Sequence, residues 1–316
     1  MRRRPIRESK ESKMATTSID REIVAPEKKY AIPSHLYGPY TCPACKQAVE
    51  PQPGSLHCPA CAVSYPILDG IPDFMAQDLE HNGSHDLRFI AKRDGSRLLD
   101  LLASSYETYI YPPVCNLYGG WHSTSLQELA RDISDIVGPT TGLILDVACG
   151  PGTYGRRMAS PSRAIYGIDI CLSMLRQGAR YVERDGLPNV HFARAMVEAL
   201  PFPAGLFDAA ICAGALNHFP DTVLALREIN RTMKAGAPLA VMCFVISNRG
   251  LLKYRFMRDR VERHGGHVFA LPDLERYVAE AGFEGFHFHV HGAVLVLSAR
   301  KRPRGIGKDL SRVVGK

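Results

Sequence analysis

The stretch from residue 143 to residue 155, which reads L-I-L-D-V-A-C-G-P-G-T-Y-G, constrains the fold of this chain more than any other feature. Apolar residues lead to Asp146, and Gly150 and Gly152 follow on either side of a proline. This order is typical of a buried strand that feeds a tight turn, because glycine lets the backbone turn sharply and approach a ligand closely. Asp169 ends the next apolar run. The pattern predicts a loop that binds a nucleotide-type cofactor.

The identity of the cofactor depends on Asp146. Gly150, Gly152 and Gly155 also fit the G-x-G-x-x-G fingerprint of dinucleotide-binding proteins. A carboxylate at the end of the first strand would, however, repel a pyrophosphate placed on the helix N-terminus. It suits a cofactor that carries a positive ammonium and no phosphate, such as S-adenosylmethionine. We therefore favour this cofactor over NAD, and we interpret Gly155 as packing at the start of the next helix.

An ordered series of segments links the chain to one known family. The segments are I-L-D-V-A-C-G-P-G-T (144–153), Y-G-I-D-I (166–170), S-M-L (173–175), E-A-L-P-F-P (198–203), L-F-D-A-A-I-C (206–212), L-N-H-F-P-D (216–221) and L-R-E-I-N-R-T-M-K-A-G (226–236). They resemble class I S-adenosylmethionine-dependent methyltransferases, especially the group of ubiquinone and menaquinone methyltransferases. The resemblance implies an α/β fold with a Rossmann-like, mostly parallel sheet whose last strand is antiparallel. Ala148 replaces a more familiar glycine, a departure that a small side chain should tolerate.

The hydrophobic pattern supports the same architecture. Apolar strands alternate with helical patterns, which indicates a parallel, doubly wound sheet. The last two strands are too close for a helical crossover and should pair antiparallel. Before the first strand, Ser125 and the periodic apolar residues after it predict a capped amphipathic helix that ends at Gly138. The predicted strands are 143–147, 164–168, 190–193, 207–212, 238–245, 285–291 and 293–299.

The resemblance also assigns cofactor roles to residues near the carboxyl ends of the strands. Asp146 orients the methionine end and Asp169 binds the ribose hydroxyls, while Ile170 and Met174 flank the adenine. Met196 stands where the family commonly has an aspartate that accepts a bond from the adenine amino group. Methionine cannot accept this bond, so either a backbone carbonyl or water replaces the carboxylate, or the alignment shifts by one residue. The predicted cofactor-binding set is Tyr106, Asp146, Ala148, Gly150, Gly152, Asp169, Ile170, Met174, Met196, Val197 and Ala213.

Tyr106 belongs to a segment that precedes the cofactor loop. From about residue 86 the pattern becomes helical, and several tyrosines surround Pro112 and Pro113. In related enzymes this segment forms a cap over the cofactor and the substrate. An aromatic ring there can cover a sulfonium by cation–π attraction, of order 0.5 to 2 kcal/mol. For each of these tyrosines, packing among the cap helices is the alternative.

Two C-x-x-C motifs lie upstream, at residues 42–45 and 58–61. Two pairs of thiolates on tight turns can converge on one tetrahedral zinc ion, and four thiolates leave no open position, so the predicted metal is structural. Two disulfides or a redox pair are the alternatives, disfavoured because the other cysteines follow no pattern. The motifs and the following S-Y-P-I-L-D-G-I-P-D-F-M resemble zinc-ribbon activator proteins that pair with some methyltransferases. The predicted ligands are Cys42, Cys45, Cys58 and Cys61.

His218 is the candidate catalytic residue. A sulfonium methyl group is already electrophilic, so the protein must chiefly align the reacting atoms and exclude water. A general base is needed only if the acceptor must lose a proton. His218 follows the fourth strand, where the carboxyl ends of strands meet the ligand crevice. A packing role for this histidine is the alternative, and His122 is a weaker candidate for the base.

Length and charge suggest how the chain is divided. Residues 1–37 carry nine Lys or Arg against five Asp or Glu, and residues 300–316 carry seven against one. These basic ends on a mildly acidic body are interpreted as solvated tails, with nucleic-acid contacts as the less favoured alternative. We expect no membrane span and a cytoplasmic location, and the oligomeric state stays open. The predicted divisions are a disordered basic leader (1–37), a zinc ribbon (38–78), a linker and helical cap (79–138), a methyltransferase domain (139–300) and a basic tail (301–316).

The sequence thus predicts an enzyme that transfers a methyl group from S-adenosylmethionine to a small-molecule acceptor. A ring carbon, hydroxyl or amine of a quinone-like or secondary metabolite is the expected target. A methyltransferase acting on rRNA or tRNA bases is the first alternative, since it would also combine zinc with a class I domain. An NAD-dependent oxidoreductase and a catalytically silent partner protein are weaker alternatives.

Overall fold

The computed structural model describes residues 39–75, 107, 109, 113, 116, 117, 125–248, 250–263 and 265–303. The expectations for Tyr106 and His122 lie outside the described residues, as do those for the leader, most of the cap and most of the basic tail. Within the part of the chain that the structure describes, no helix is long and apolar enough to cross a membrane.

The cysteine-rich segment forms a four-stranded antiparallel sheet in which strands adjacent in sequence are adjacent in space. Gly54, with φ of 73°, turns the chain between the first two strands. Leu56 pairs with Tyr65 across the next two strands, and both side chains are buried. Together with Phe74, these two residues form the centre of the small sheet's core. The strands are β1 (Glu50–Gln52), β2 (Ser55–Cys58), β3 (Val63–Leu68) and β4 (Ile71–Pro72).

A second sheet of seven strands carries the cofactor loop. Its order is β10-β11-β9-β8-β5-β6-β7, and only β11 runs antiparallel to its neighbours. The predicted fold class, a mostly parallel sheet whose last strand is antiparallel, is confirmed. The strands are β5 (Gly142–Val147), β6 (Arg163–Asp169), β7 (Val190–Arg194), β8 (Ala209–Ala213), β9 (Pro238–Phe244), β10 (Phe283–His291) and β11 (Val294–Lys301).

Helices connect the strands and cover the sheet. The first has the predicted N-terminal cap, in the form of a capping box: the Ser125 hydroxyl accepts a bond from the Glu128 amide while the Glu128 side chain accepts one from the Ser125 amide. It ends at Gly138, as expected. The helices are α1 (Leu126–Val137), α2 (Gly155–Met158), α3 (Leu172–Asp185), α4 (Thr222–Thr232), α5 (Arg255–Arg263) and α6 (Leu271–Glu280).

Both faces of the central strands of the large sheet are buried, whereas most residues of the edge strand β10 are exposed. Ile144 on β5 packs with Ile133 of α1 on one face, and Leu145 packs with Phe202 on the other. A sheet covered on both faces needs continuous apolar strands, which explains why the central strands read as unbroken hydrophobic runs. The predicted start of the fourth strand at Phe207 is two residues early. That residue instead makes an isolated bridge with Met233.

Candidate functional site

The loop between β5 and α2 joins Asp146 to Gly155. Asp146 is 2% exposed, and its Oδ2 atom accepts a hydrogen bond from the Gly155 amide at 3.0 Å. A Cβ atom at Gly155 would lie 2.6 Å from this oxygen and 2.7 Å from the side chain of Ile165. Any side chain would therefore displace the carboxylate. Gly155 orients Asp146 in addition to its expected packing at the start of α2.

Gly150 and Ala148 have left-handed backbone conformations, with φ of 54° and 50°. No described atom lies within 4 Å of a Cβ placed at Gly150, so the loop borders open space there. For a residue other than glycine, a left-handed conformation costs about 1 to 2 kcal/mol. Ala148 therefore carries a backbone strain that glycine would not, and its small side chain keeps the substitution compatible with the turn.

Phe192 on β7 supports the loop from beneath. A Cβ atom at Gly152, Gly167 or Gly178 would lie 2.8 to 2.9 Å from a carbon of this aromatic ring. Gly152 belongs to the loop, Gly167 to β6 and Gly178 to α3. Because these three positions are glycines, the loop, β6 and α3 can all pack directly against the Phe192 ring. The loop is therefore part of the packed core.

Asp169 at the end of β6 is oriented by two backbone amides. Gly150 donates to its Oδ2 atom at 2.8 Å, and Cys171 donates to its Oδ1 atom at 2.8 Å. The structure thus joins Gly150 directly to Asp169, as expected if the loop and the second strand form one site. The predicted ribose contact itself stays a prediction.

Burial controls the charge of Asp146. Loss of water, with a smaller contribution from the charge of Asp169, raises the pKa of the Asp146 carboxyl to about 7 against the opposing hydrogen bond from Gly155. The carboxyl is therefore close to half-ionised at neutral pH. A cation bound beside it would favour the ionised form.

The remaining predicted cofactor residues lie around the ends of β6, β7 and β8. Val197 is buried, while Ile170, Met174, Met196 and Ala213 are partly buried. Met196 precedes a short 3-10 turn, and its carbonyl accepts a bond from the Ala199 amide. Like the loop, these residues lie at the carboxyl ends of the strands. Their contacts with a cofactor stay predictions.

Arg194 was not predicted, although it lies at the end of the apolar third strand. Its Nε atom donates to the Ile170 carbonyl at 2.9 Å, and its guanidinium pairs with Asp73 at 3.2 Å. Both charged side chains are buried, with 2% of Asp73 and 6% of Arg194 exposed. The pair connects the cysteine-rich segment to the backbone beside Asp169. One signal for this role is present in the sequence: a charged residue at the end of a mostly apolar strand.

Arg156 and Thr153 were also missed. The buried Arg156 guanidinium donates from Nε to the carbonyl of Pro151, in the loop, at 3.0 Å. The same guanidinium pairs with Asp185 and Glu107, so it braces the loop against two other segments. Among the described residues, the Thr153 hydroxyl is buried and has no hydrogen-bond partner.

His218 ends the short 3-10 turn that follows β8 and is exposed. Nearby protein displaces part of its hydration and, together with the neighbouring His267, holds the pKa of the imidazole below its ordinary value. The neutral form, which can accept a proton, therefore predominates at neutral pH. This state is compatible with the predicted role as a base, which stays a prediction.

Asn217 fixes the turn that carries His218. Its Nδ2 atom donates to the carbonyls of Phe244 at 2.8 Å and His267 at 2.6 Å, and its Oδ1 atom accepts from the Phe244 amide at 2.7 Å. With 3% of its surface exposed, Asn217 ties the end of β9 and the segment before α6 to this turn. The sequence contained the residue within the motif L-N-H-F-P-D but did not indicate this role.

The four predicted cysteines converge. Their sulfur atoms all lie within 4.8 Å of one another, with 3.9 Å between Cys42 and Cys61 and 3.5 Å between Cys45 and Cys58. A tetrahedron of thiolates around zinc, with bonds of about 2.3 Å, has sulfur–sulfur edges of about 3.8 Å. All four are free thiols, and their arrangement could hold a tetrahedral metal ion.

The two turns that carry these cysteines are alike. The residue after the second cysteine of each motif, Lys46 or Ala62, has a left-handed backbone, with φ of 60° or 55°. The Tyr65 hydroxyl lies 3.1 Å from the Cys42 sulfur. Although burial raises the pKa of Cys42, backbone amides and this hydroxyl together lower it to about 6. A thiol of this kind readily provides the thiolate that a metal binds.

The cysteine-rich segment packs on the face of the large sheet that contains Phe202. Tyr40 stacks on Phe202 with ring centroids 5.4 Å apart. Lys46 pairs with Glu228 of α4 at 2.7 Å and also donates to the Leu200 carbonyl. Aromatic packing, this ion pair and the Asp73 pair described above together join the small sheet to the large one.

Two family models match the chain. Residues 144–236 match a model described as a methyltransferase domain, and residues 41–70 match one described as a Trm112p-like protein. The first match covers the cofactor loop and the turn after β8, and the second covers the four cysteines. Both parts of the resemblance expected from the sequence are confirmed.

Curated relatives support the same assignment over part of their length. A demethylmenaquinone methyltransferase of Lactococcus lactis is 29% identical over 188 residues, which are 51% of this chain and 74% of the relative. The ubiquinone/menaquinone biosynthesis C-methyltransferase UbiE of Pasteurella multocida is 37% identical over 181 residues, 48% of this chain and 66% of the relative. An uncharacterised chloroplastic methyltransferase of Arabidopsis thaliana is 34% identical, and the match spans only 29% of its length.

Solved structures share the fold. Phosphoethanolamine N-methyltransferase 2 of Haemonchus contortus, in complex with S-adenosyl-L-methionine, superimposes with a TM-score of 0.53 at 15% identity. The match covers 67% of this chain and 59% of that one. The [4+2]-cyclase SpnF has a TM-score of 0.50 at 19% identity, covering 64% of this chain and 94% of that one. The large sheet therefore has the class I methyltransferase fold.

Proposed function

We propose that this chain, which carries a class I methyltransferase domain behind a Trm112p-like segment, transfers a methyl group from S-adenosylmethionine to a small-molecule acceptor. The observation that carries the proposal is the buried Asp146, held by the Gly155 amide at the end of β5 and close to half-ionised at neutral pH. This carboxyl suits a cationic ligand group and would repel a pyrophosphate.

The residues around the loop fit the cofactor. Asp146 would hold the ammonium of its methionine end, and the buried Thr153 hydroxyl, which has no partner among the described residues, would find one in the same polar group. The space beside Gly150 leaves room for a ligand to pass close to the backbone. Asp169 would accept bonds from the ribose hydroxyls, with Ile170 and neighbouring apolar side chains beside the adenine.

The chemistry requires little from the protein beyond positioning. When bound, the cofactor supplies a methyl group that is already activated by the sulfonium. The loop, which Arg156 bonds through the Pro151 carbonyl, would hold the cofactor. The turn fixed by Asn217 would put His218 beside the crevice at the carboxyl ends of the strands. His218 would take the proton of an acceptor that must lose one, since its imidazole is neutral at neutral pH.

A quinone-like ring is the acceptor class that we favour. The curated relatives from Lactococcus lactis and Pasteurella multocida are named for methylation in menaquinone and ubiquinone synthesis. In this chain, α5 follows β9 and has no buried residue; Tyr254 just before it and Phe256 in its first turn are 45% and 63% exposed. Exposed aromatic side chains at this edge are compatible with an apolar, planar acceptor.

We also propose that the four cysteines bind one structural zinc ion. Four thiolates complete a tetrahedral coordination sphere, so they leave no position for a reacting water molecule. The ion would stabilise the ribbon predicted at residues 38–78, leaving residues 139–300 as the catalytic domain. The eight described cysteines are free thiols, which supports a reducing, cytoplasmic location.

The proposed activity is tested first by binding. Calorimetry with S-adenosylmethionine, S-adenosylhomocysteine and NAD should show binding of the first two and none of NAD. Incubation with a methyl-labelled cofactor and a demethylated quinone, or with total RNA, then identifies the acceptor class. Label in RNA nucleotides, together with RNA affinity that falls steeply with salt, would replace the small-molecule assignment. Binding of NAD alone would overturn the proposal.

The base is tested separately with His218→Gln. If His218 accepts the proton, turnover at saturating cofactor should fall by about 10² or more, while cofactor affinity stays the same. His287→Gln, which changes an exposed histidine on the distant β10, is the matched control. An unchanged rate would show that His218 packs or positions the turn and that the acceptor needs no base from it.

A further inference from the structure

A second group of side chains that could hold a metal ion lies at the β10 edge of the large sheet, at the far end of the strand order from β7. Asp132 of α1 and His289 and His291 of β10 bring one ligand atom each to within 4.8 Å of the other two. We propose that these residues bind a divalent first-row transition metal ion. The site shares no residue with the cysteine cluster or with the proposed methyl-transfer site.

The fold brings these residues together across a long stretch of chain. His289 and His291 alternate along β10, so both point to the same face of the strand. They pair with Val296 and Val294 of β11, which belong to the core on the α1 side of the sheet. Asp132 projects from α1 toward the same place, and the two histidines converge on its carboxylate.

The contacts in this triangle cannot all be hydrogen bonds. The Nε2 atoms of His289 and His291 lie 2.5 Å apart, and each lies 3.0 Å from the same Oδ2 atom of Asp132. A ring nitrogen has either one hydrogen or one lone pair to direct at its neighbours. If both nitrogens donate to the carboxylate, their two hydrogens are crowded together and repel each other. If one nitrogen donates to the other, the accepting nitrogen has no hydrogen for the carboxylate, and its lone pair faces the lone pairs of the oxygen.

A cation removes this conflict because it accepts a lone pair from all three atoms at once. Metal bonds of about 2.0 to 2.1 Å place ligand atoms about 2.9 to 3.4 Å apart in octahedral or tetrahedral geometry. The two 3.0 Å distances to Asp132 match this range. The nitrogen–nitrogen distance would open by about 0.4 Å. The half-exposed His289 ring has the freedom to provide this change.

The ligand types indicate which ions would bind. Imidazole favours zinc, copper, nickel, cobalt and iron over magnesium and calcium, and one carboxylate with two imidazoles is a common set for such ions. The side chain of His289 is 50% exposed, so solvent can occupy the remaining coordination positions. This openness distinguishes the site from the cysteine cluster, which provides four ligands of its own.

The position of the site points to a structural or regulatory metal, separate from methyl transfer. Three strands lie between β10 and β5, which puts the two sites about 19 Å apart at the usual strand spacing. The ion would join the edge strand β10 to α1, so its binding should raise the thermal stability of the whole chain. We expect an increase in Tm of roughly 2 °C or more with saturating metal.

The test uses the full chain, purified without a polyhistidine tag and equilibrated with one equivalent of Zn²⁺ to occupy the cysteines. Calorimetric titration with further Zn²⁺ should show one additional equivalent bound, with a rise in Tm. His289→Ala and His291→Ala should each lose this equivalent or bind it at least about tenfold more weakly, since each removes one of three protein ligands.

Two further variants make the outcome decisive. His287→Ala is the matched control, because it removes an exposed histidine from the same face of β10 outside the triangle, and it should bind like the wild type. Asp132→Asn keeps the shape of the side chain and should weaken binding even if a histidine variant folds poorly. Equal stoichiometry and affinity in the wild type, His289→Ala and Asp132→Asn would overturn the proposal.

Discussion

The cysteine-rich segment and the cofactor loop both concentrate groups that carry negative charge when ionised, yet they depend on a cation in different ways. The four sulfur atoms lie within 4.8 Å of one another on a small sheet whose buried residues, such as Leu56 and Tyr65, belong to the same cluster as residues of the large sheet. Asp146 and Asp169 lie on central strands of the large sheet, which are buried on both faces. In our proposal a cation stabilises the fold of the first region, whereas the second region folds without one and binds a cationic cofactor only for function.

This difference predicts that the largest effect comes from removing a cysteine. Cys58→Ala should abolish zinc binding by the ribbon and make residues 41–70 sensitive to protease, because the proposed metal would join the two cysteine turns and packing on the large sheet holds only part of this small module. Metal analysis and limited proteolysis would measure both effects. Cys212→Ala, which removes a buried thiol from the large sheet, is the control and should retain zinc. A folded, protease-resistant ribbon in Cys58→Ala would show that the ribbon, like the large sheet, folds without a cation.

The next largest effect should come from the buried pair that joins the regions. Asp73→Ala leaves the Arg194 charge buried without this partner, which should cost about 3 to 5 kcal/mol of unfolding free energy. Arg194 also donates to the Ile170 carbonyl, so cofactor affinity should fall as well.

A double-mutant cycle with Arg194→Met separates these contributions. Replacing both charges should restore much of the unfolding free energy, because no charge is left buried alone. If cofactor affinity is unchanged in all three variants, the ribbon and the cofactor loop are energetically independent.

Asp146→Asn should separate stability from function. Because the folded protein raises the pKa of Asp146 from 3.8 to about 7, its contribution to stability is greatest below pH 4 and is lost as the pH rises through 7. The asparagine variant should therefore gain stability relative to the wild type at pH 8, by about 4 kcal/mol at most. The gain should vanish near pH 4.

The same variant should bind the cofactor at least about tenfold more weakly, because the ammonium loses its charged partner. Denaturant unfolding at several pH values and calorimetry measure the two effects. Asp135→Asn, on the exposed side of α1, is the control and should change neither. Loss of stability in Asp146→Asn at pH 8 would contradict the proposed cost of burying this carboxylate.

The smallest effect is expected at Thr153. Thr153→Val removes a buried hydroxyl that has no partner among the described residues, so the cofactor-free protein should keep or slightly gain stability. Cofactor affinity should fall by about 1 kcal/mol if the hydroxyl bonds the methionine end. Ser160→Ala, which changes an exposed-loop hydroxyl bonded to Ser162, is the control. Unchanged affinity would place Thr153 outside the cofactor site.

Much of the fold was predictable because its signals are local. All seven predicted strands have both ends within two residues of the observed ones. A buried parallel strand needs an unbroken apolar run, and the turn after it needs glycine, so both leave marks in adjacent residues. The two C-x-x-C motifs predicted the cysteine cluster for the same reason, since each turn sets the geometry of its own pair.

The residues that fix the loop and turns of the site through long-range contacts were not predictable in this way. Arg194 and Asn217 bond backbone carbonyls of distant segments, and Arg156 pairs with carboxylates far along the chain. Arginine and asparagine are common surface residues, and their sequence neighbours do not show that they are buried. Their roles follow only from which strand ends the sheet order brings together.

The sequence by itself determined the loop, the acidic residues at the ends of two strands and the four converging thiols, because each depends on spacing within a few residues. Tertiary structure alone decided that burial raises the pKa of Asp146, that Asp73 pairs with Arg194, and that Asp132 meets two histidines far along the chain. Burial and long-range proximity are properties of the packed sheet, so no local pattern encodes them.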